Sequence, residues 1–170
     1  MDTRRSSEPA VGNLTTMQLE GEREIVITRT FNAPPRIVFE AWTQPELVKR
    51  WWAPKSMGVT VVGCEADVRE GGTYRYVLKP EGGDAFAFSG RYTEVSPHSR
   101  LVYSQVFEPM AGAGEAVIRV TFEDRDGKTH LVSRELYPSK EARDGALASG
   151  MEQGMRETYD LLDALVSSLR

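Results

Sequence analysis

The sequence lacks the features by which secreted and membrane proteins are recognised. It contains one cysteine, Cys64, in 170 residues, so no disulfide can form within the chain, which fits a reducing compartment. The chain begins MDTRRSSEPAVGN, without the apolar core of a signal peptide. No apolar run is long enough to cross a bilayer. We therefore expect a cytoplasmic protein without a membrane partner.

An excess of basic residues is also missing. The chain has 21 Lys and Arg against 25 Asp and Glu, a formal net charge of −4, and this argues against a nucleic-acid partner. Neither His98 nor His130 has metal-ligand neighbours at a suitable spacing or a nucleophile beside it. Neither glycine pair, Gly71-Gly72 or Gly82-Gly83, opens a helix after a strand. We expect no metal, no cofactor and no catalytic residue set.

What is present is an ordinary globular composition, with 40% hydrophobic and 27% charged residues. The length suits one domain with a real core. Residues 1–22 are polar and without periodicity, which predicts a flexible N-terminal lead-in before a domain at residues 23–170. In the first predicted strand, Ile25, Ile27, Arg29 and Phe31 share one side because strand side chains alternate.

The later patterns predict the order of the remaining elements. An apolar stripe after Pro34-Pro35 predicts one short helix, and Pro45 predicts the start of a second, from Glu46 to Trp51. Residues 57–137 predict about six strands, with Asp126-Gly127 as a strong tight-turn signal. Ser139 is a candidate cap for a long C-terminal helix in which Gly145, Gly150 and Gly154 suggest a bend or a close approach by a bulky group. The sum is an α+β fold whose curved antiparallel sheet has about seven strands.

Four segments resemble a known family: ITRTFNAPPRIVFEAWTQPELVKRWWAP, DVREGGTYRYVL, FSGRYTEVSPHSRLVYS and GMEQGMRETYDLLDALV, which span residues 25 to 166. The first is the most specific, because Arg-x-Phe-x-Ala-Pro is followed by Ala-Trp-Thr and Trp-Trp. The chain resembles the SRPBCC (START-like) superfamily, in the group named after the C-terminal domain of the activator of heat-shock-protein-90 ATPase. The resemblance implies the helix-grip (birch-pollen-allergen-like) fold, a sheet wrapped around the last helix with a cavity between them. It also implies a small hydrophobic ligand such as a lipid, hormone or polyketide, with cyclase activity in a minority of members.

Two charged residues are candidates for the cavity. Arg29 shares the apolar side of its strand, and a lone buried charge is too costly to leave unpaired. In the helix-grip arrangement the first strand pairs with the last, so Glu135 is the candidate partner. We favour a structural ion pair over a clamp for a ligand carboxylate, which a bidentate guanidinium could also provide.

Aromatic and methionine side chains are the other candidates. Trp42 is expected to pack the short helices, whereas the adjacent Trp51 and Trp52 cannot share a helix face, so that one of them could line the pocket. Core packing is the ordinary role of aromatic residues on an inner sheet face, and methionine adapts to either role. The predicted ligand-binding set is Arg29, Trp51, Trp52, Tyr76, Phe88, Tyr103, Glu135, Met151 and Met155.

Three functions follow from these expectations. The first is a module that binds a small hydrophobic molecule. The second is a cyclase- or hydrolase-like enzyme that uses the same cavity, with Arg29, Glu135, Tyr76 or Tyr103 as polar groups. The third is a co-chaperone-like regulator of a protein partner, which would carry a large exposed apolar patch. The sequence favours them in that order and leaves a homodimer open.

Overall fold

A computed structural model describes residues 14–170 and shows one antiparallel sheet of eight strands. Alternation of buried and exposed residues along these segments leaves one sheet face apolar, which drives its burial. The strands are β1 (Thr16–Glu20), β2 (Glu24–Phe31), β3 (Val59–Ala66), β4 (Thr73–Pro80), β5 (Phe86–Ser96), β6 (Arg100–Phe107), β7 (Ala116–Arg125) and β8 (Lys128–Leu136). Their spatial order is β1-β2-β8-β7-β6-β5-β4-β3.

Four α-helices and two short 3₁₀ helices, Lys55–Met57 and Glu108–Ala113, accompany the sheet within the described residues. Two short ones, α1 (Pro35–Thr43) and α2 (Pro45–Val48), follow β2, and two more, α3 (Lys140–Ala148) and α4 (Met151–Leu169), end the chain. Proline in the first turn of α1 and of α2 costs no hydrogen bond, because that N–H has no helical acceptor. Across residues 14–170, no helix is both long and apolar enough to span a bilayer.

Several local predictions are confirmed. The amide of Ala142 donates to Ser139 Oγ at 3.0 Å, so Ser139 caps α3 as expected. Asp126 and Gly127 both have positive φ, 57° and 83°, in the tight turn between β7 and β8. The first long strand, β2, pairs with the last, β8, in antiparallel register.

The sheet has one strand more than predicted. β1 lies within the segment expected to be a flexible lead-in and pairs with β2 from Thr16↔Thr28 to Glu20↔Glu24. Its side chains are mostly exposed, so backbone hydrogen bonds to the edge of β2 hold it, and its only sequence signal is the short alternation of Met17 and Leu19. That prediction is therefore wrong for residues 16–20, and the part of it at residues 1–13 lies outside the described residues.

The predicted single C-terminal helix is divided in two. Gly150 adopts φ 86° between α3 and α4, a left-handed conformation that glycine accepts at little cost. The bend suggested by the glycines is thus present at Gly150. At Gly154 an added Cβ would lie 3.7 Å from Pro54 Cγ, an ordinary van der Waals distance, so no close approach requires glycine there. The second short helix also ends at Val48, earlier than the predicted Trp51.

The inner face of the sheet has two halves with different coverings. On β2, β7 and β8 the inner side chains are mostly aliphatic or Phe, apart from Arg29, Ser133 and Glu135, and they pack against α1 and α4. On β4, β5 and β6 they are largely aromatic and fill the space beneath the helices themselves. The buried residues that α4 contributes to this core include Tyr159, Leu162, Leu165 and Val166.

Candidate ligand-binding interior

Arg29 is buried between β2 and α4, with 6% of its surface exposed. Its Nη1 lies 2.5 Å from Asp160 Oδ1 and its Nη2 lies 2.9 Å from Asp163 Oδ2. Nη1 also donates to Thr15 Oγ1 at 3.1 Å. The predicted partner Glu135 is therefore wrong. In the β2–β8 register Arg29 faces Leu131, and two acids of the overlying helix neutralise the guanidinium instead.

Glu135 lies on the inner face of β8, where a row of paired residues runs Tyr103, Ile118, Glu135, Ile25 across four strands. The hydroxyl of Tyr137 donates to Glu135 Oε1 at 2.9 Å. Burial raises the pKa of Glu135 to about 7, although the hydrogen bond from Tyr137 opposes that rise. The interior therefore holds a carboxyl group that changes charge near neutral pH.

A small void lies beneath the helices on the β4–β6 half of the sheet. Its volume is about 10 Å³, room for roughly one water molecule. We call its lining the aromatic box: Trp42, Trp52, Tyr74, Tyr76, Tyr92, Tyr103 and Gln105.

The rings of the aromatic box meet at tilted or perpendicular angles. The Trp52 and Tyr76 centroids are 4.9 Å apart at 70°, and those of Tyr74 and Tyr103 are 5.5 Å apart at 88°. Tyr92 and Tyr103 are 5.9 Å apart at 62°. Such edge-to-face contacts are favourable for aromatic quadrupoles. The rings around the void therefore lie in different planes.

The four tyrosine hydroxyls of the aromatic box are hydrogen-bonded to protein groups. Tyr74 OH lies 2.9 Å from the Ser104 carbonyl and 3.0 Å from Gln105 Oε1, both acceptors. Tyr76 is hydrogen-bonded to Tyr92. The Trp42 indole N–H donates to the Tyr103 oxygen. Burial raises the pKa of Tyr92 to about 12 and raises those of the other three tyrosines as well. All four are neutral hydroxyls at physiological pH.

Two members of the aromatic box reach solvent. Trp52 and Gln105 are partly exposed, whereas the other five members are buried. On the side away from the void, the Trp52 ring contacts Phe88, with the ring centroids 5.3 Å apart. Phe88 in turn contacts Phe107, which is 36% exposed. Solvent therefore lies nearest to the void at Trp52 and Gln105, and Trp52 is the only ring among the seven lining residues that is partly exposed.

The predicted residues are distributed unevenly around this interior. Trp52, Tyr76 and Tyr103 line the void, and Phe88 packs just outside it. Trp51 is core, since it is 2% exposed and its Nε1 donates to the Ala41 carbonyl at 2.9 Å. Met151 and Met155 lie partly buried on α4 and pack against the same core. Whether any of these nine residues contacts a ligand stays a prediction.

Four lining residues were not predicted: Tyr74, Tyr92, Gln105 and, because it was assigned to packing alone, Trp42. Three of them carried a usable signal. Tyr74 lies two residues before Tyr76, and Gln105 lies two residues after Tyr103, so strand alternation places each pair on one face. Tyr92 pairs with Tyr103 across β5 and β6. Trp42 does pack, at 4.9 Å from Trp51, and it also reaches the void.

A larger depression lies around the β4–β6 strands, about 700 Å³ in volume and open to solvent. Its lining includes the ion pair of Arg75 with Glu108, at 2.9 Å and 2.8 Å. Because this depression is open, it would bury little of a guest. Arg75 and Glu108 already bind each other there. The small void is the better candidate site, since binding pockets bury most of their ligand in apolar surroundings.

A family profile matches residues 32–167, under the description Activator of Hsp90 ATPase homolog 1-like protein. The chain belongs to this family. The predicted family resemblance and the predicted helix-grip fold are both confirmed. Among curated proteins, none matches the chain.

Solved structures agree with membership of the Activator of Hsp90 ATPase homolog 1-like family. A protein from Rhodobacter sphaeroides is 26% identical, with a TM-score of 0.82 over 92% of this chain and 99% of its own. A protein from Mycobacterium smegmatis is 25% identical, with a TM-score of 0.78 over 89% of this chain and 96% of its own. An Activator of Hsp90 ATPase homolog 1-like protein from Aeromonas hydrophila, 21% identical, has a TM-score of 0.68 over 84% and 93% of the two chains and supports the fold alone.

Proposed function

We propose that the protein binds a small, mainly apolar molecule between the β4–β6 half of the sheet and the segment that carries Trp42 and Trp52. The observation that carries the proposal is the aromatic box. Its six aromatic rings enclose a void beneath the helices, and the partly exposed Trp52 is the ring on the solvent side. Apolar walls with a few fixed polar groups are the usual composition of a ligand pocket.

A guest larger than water requires side-chain movement, because the void measures only about 10 Å³. Trp52 is the side chain that can supply it. Its ring contacts Tyr76 and Phe88 but is not fully buried, so a rotamer change would open the void without moving a strand. Met151 and Met155, partly buried on α4, provide walls that adapt to a new shape.

The polar groups favour binding over catalysis. An enzyme of the cyclase or hydrolase type would need several unoccupied polar groups that converge on one point. Arg29 is neutralised by two aspartates, and the hydroxyls of Tyr76 and Tyr103 are engaged with Tyr92 and Trp42. Glu135 with Tyr137 is the remaining polar pair. Regulation of a protein partner stays a prediction.

The proposal is tested with indole as the guest and with the variant Trp52→Ala. Removing the Trp52 ring enlarges the void by a matching volume, so we expect this variant to bind indole at least about fivefold more tightly than the unaltered protein. Calorimetry gives the affinity, and amide chemical-shift changes on β4–β6 give the location.

A matched substitution away from the interior is Leu19→Ala on β1, where the side chain is 50% exposed. It should leave indole affinity unchanged. If neither the unaltered protein nor Trp52→Ala binds indole or a compact branched alcohol of similar size, the proposal is wrong.

A further inference from the structure

We infer that the guest of this interior is a small organic cation, of the class that carries a methylated or primary ammonium group, seated in the aromatic box on the side of Glu135. The inference rests on the proposed function and specifies the chemical class of its ligand. It arises from the composition of the lining, the angles between the rings and the sign of the charge that reaches the interior.

The lining has the composition of an aromatic cage. Four tyrosines and two tryptophans surround the void, and a glutamine supplies a carbonyl oxygen. The faces of aromatic rings carry negative potential, and tryptophan and tyrosine attract cations more strongly than phenylalanine does. An aliphatic guest would be served equally well by leucine and phenylalanine, which need no hydrogen-bond partners inside the core.

The angles between rings suit a compact cation better than a flat guest. Neighbouring rings of the aromatic box meet at 70°, 48° and 88° for Trp52 with Tyr76, Tyr76 with Tyr74, and Tyr74 with Tyr103. No two of these contacts are parallel, so there is no slot into which a planar molecule would slide. A roughly spherical group such as trimethylammonium meets several ring faces at once.

The hydrogen bonds among lining residues hold the cage in place without a guest. Tyr76 is bonded to Tyr92, Trp42 to Tyr103, and Tyr74 to β6 through Ser104 or Gln105. Rings fixed in advance lose little conformational entropy when a ligand binds. The mobile member is Trp52, the one ring of the aromatic box that is partly exposed.

The charge that reaches this interior is negative. Glu135 shares the inner row with Tyr103, from which Ile118 separates it, and its negative charge adds to burial in raising the pKa values of Tyr74 and Tyr103. None of the seven residues that line the void is basic. Arg29, on the same sheet face, is already compensated by Asp160 and Asp163. A carboxylate guest would therefore meet like charge, whereas a cation would meet opposite charge.

Three probes of nearly equal shape separate the alternatives. Choline is the cation. Its uncharged carbon isostere is 3,3-dimethylbutan-1-ol (dimethylbutanol), and pivalate is an anion with the same tert-butyl group. We expect choline to bind at least about tenfold more tightly than dimethylbutanol, as desolvated cation–π contacts predict, and we expect no binding of pivalate. Calorimetry measures the affinities. The N-methyl protons of bound choline should move upfield in NMR spectra because they lie against ring faces.

Two substitutions with matched controls locate the site. Trp52→Leu removes a cage ring, and Glu135→Gln removes the charge with nearly the same shape; each should weaken choline binding at least about fivefold at pH 8. Phe86→Leu removes a ring outside the aromatic box, and Glu81→Gln removes an exposed carboxylate; neither should change it. If Trp52→Leu folds poorly, Trp52→Phe keeps a ring that attracts cations less strongly and should still weaken choline binding.

Other binding results would contradict either the cation inference alone or the proposed function as well. If dimethylbutanol binds as tightly as choline, or if pivalate binds more tightly, the cation inference is wrong while an apolar guest remains supported. If choline fails to bind but indole binds, the inference alone falls. If neither choline, dimethylbutanol nor indole binds, the proposed function falls with it.

Discussion

Glu135 is a glutamate whose carboxyl is held among aromatic and aliphatic side chains on the inner sheet face. Burial raises its pKa from 4.5 to about 7, so the folded state holds the proton more tightly than the unfolded chain does. Below pH 4.5 both states are protonated and this residue costs nothing. As the pH rises toward 7 the unfolded chain ionises first, and stability is lost.

The variant Glu135→Gln should remove that pH dependence. We expect its free energy of unfolding, relative to the unaltered protein, to rise by about 1–3 kcal/mol between pH 4.5 and pH 8. Urea titrations of both proteins at several pH values measure the difference. A constant difference across this range would show that Glu135 ionises normally in the folded state.

Gly90 is a residue whose missing side chain allows β5 and β6 to approach. A Cβ at this position would lie 1.8 Å from the Ser104 carbonyl oxygen and 2.8 Å from Tyr74 Cε1. Neither backbone nor ring can give way cheaply, because the same Tyr74 hydroxyl bonds to β6. Gly90 therefore sets the position of one wall of the aromatic box.

Gly90→Ala should destabilise the fold by at least about 2 kcal/mol, as expected for overpacking against backbone. Gly112→Ala, where nothing lies within 4 Å of the added Cβ, should change stability by less than about 0.5 kcal/mol. Chemical denaturation measures both. Equal effects of the two substitutions would contradict the close approach of β5 and β6.

At the scale of elements, one buried ion pair joins α4 to the sheet. Asp163 is 12% exposed and binds Arg29, and its other oxygen accepts from the Asn32 amide at 3.1 Å. Asp160 binds the same guanidinium but is 72% exposed. Losing the buried partner leaves Arg29 with only the exposed Asp160 to compensate its charge, whereas losing the exposed partner changes little in water.

Asp163→Asn should therefore lower the free energy of unfolding by about 3 kcal/mol, and Asp160→Asn by less than about 1 kcal/mol. The two variants differ from the parent by the same chemical change on the same helix, so each is the control for the other. Thermal and urea unfolding give the comparison. If Asp160→Asn lowers the free energy of unfolding as much as Asp163→Asn or more, Asp163 is not the main link between α4 and Arg29.

For the molecule as a whole, β1 is the strand that extends the sheet beyond the predicted domain. It pairs with β2 over five residues. Thr15, just before it, accepts a hydrogen bond from Arg29 at its hydroxyl oxygen and one from Arg156 at its carbonyl oxygen. The segment thus covers the ion pair that holds α4 in place. A chain that begins at residue 23 would leave both the β2 edge and Arg29 less protected.

We expect a chain that begins at residue 23 to be less stable by at least about 2 kcal/mol than one that begins at residue 14, because it loses several backbone and side-chain hydrogen bonds of about 1 kcal/mol each. Unfolding midpoints of the two proteins decide the matter. Equal midpoints would restore residue 23 as the start of the stable domain.

The elements with strong local patterns followed from the sequence. Alternation on β2 and β8, the positive φ of Asp126 and Gly127, and the cap at Ser139 each depend on near neighbours along the chain, and each was predicted. The aromatic residues of the inner face were found only in part. Strand period gave Tyr76 and Tyr103, but Tyr74 and Gln105 needed the same reasoning carried one step further along their strands.

The sequence by itself determined the order of the elements and which side of each strand turns inward, because both depend on periodicity and on turn chemistry within a few residues. Only the tertiary structure decided that Arg29 meets acids 131 and 134 positions away, that β1 joins the sheet, and that Trp52 rather than Trp51 closes the void. These outcomes depend on how far α4 lies from each strand, and that distance is set by packing of the whole core.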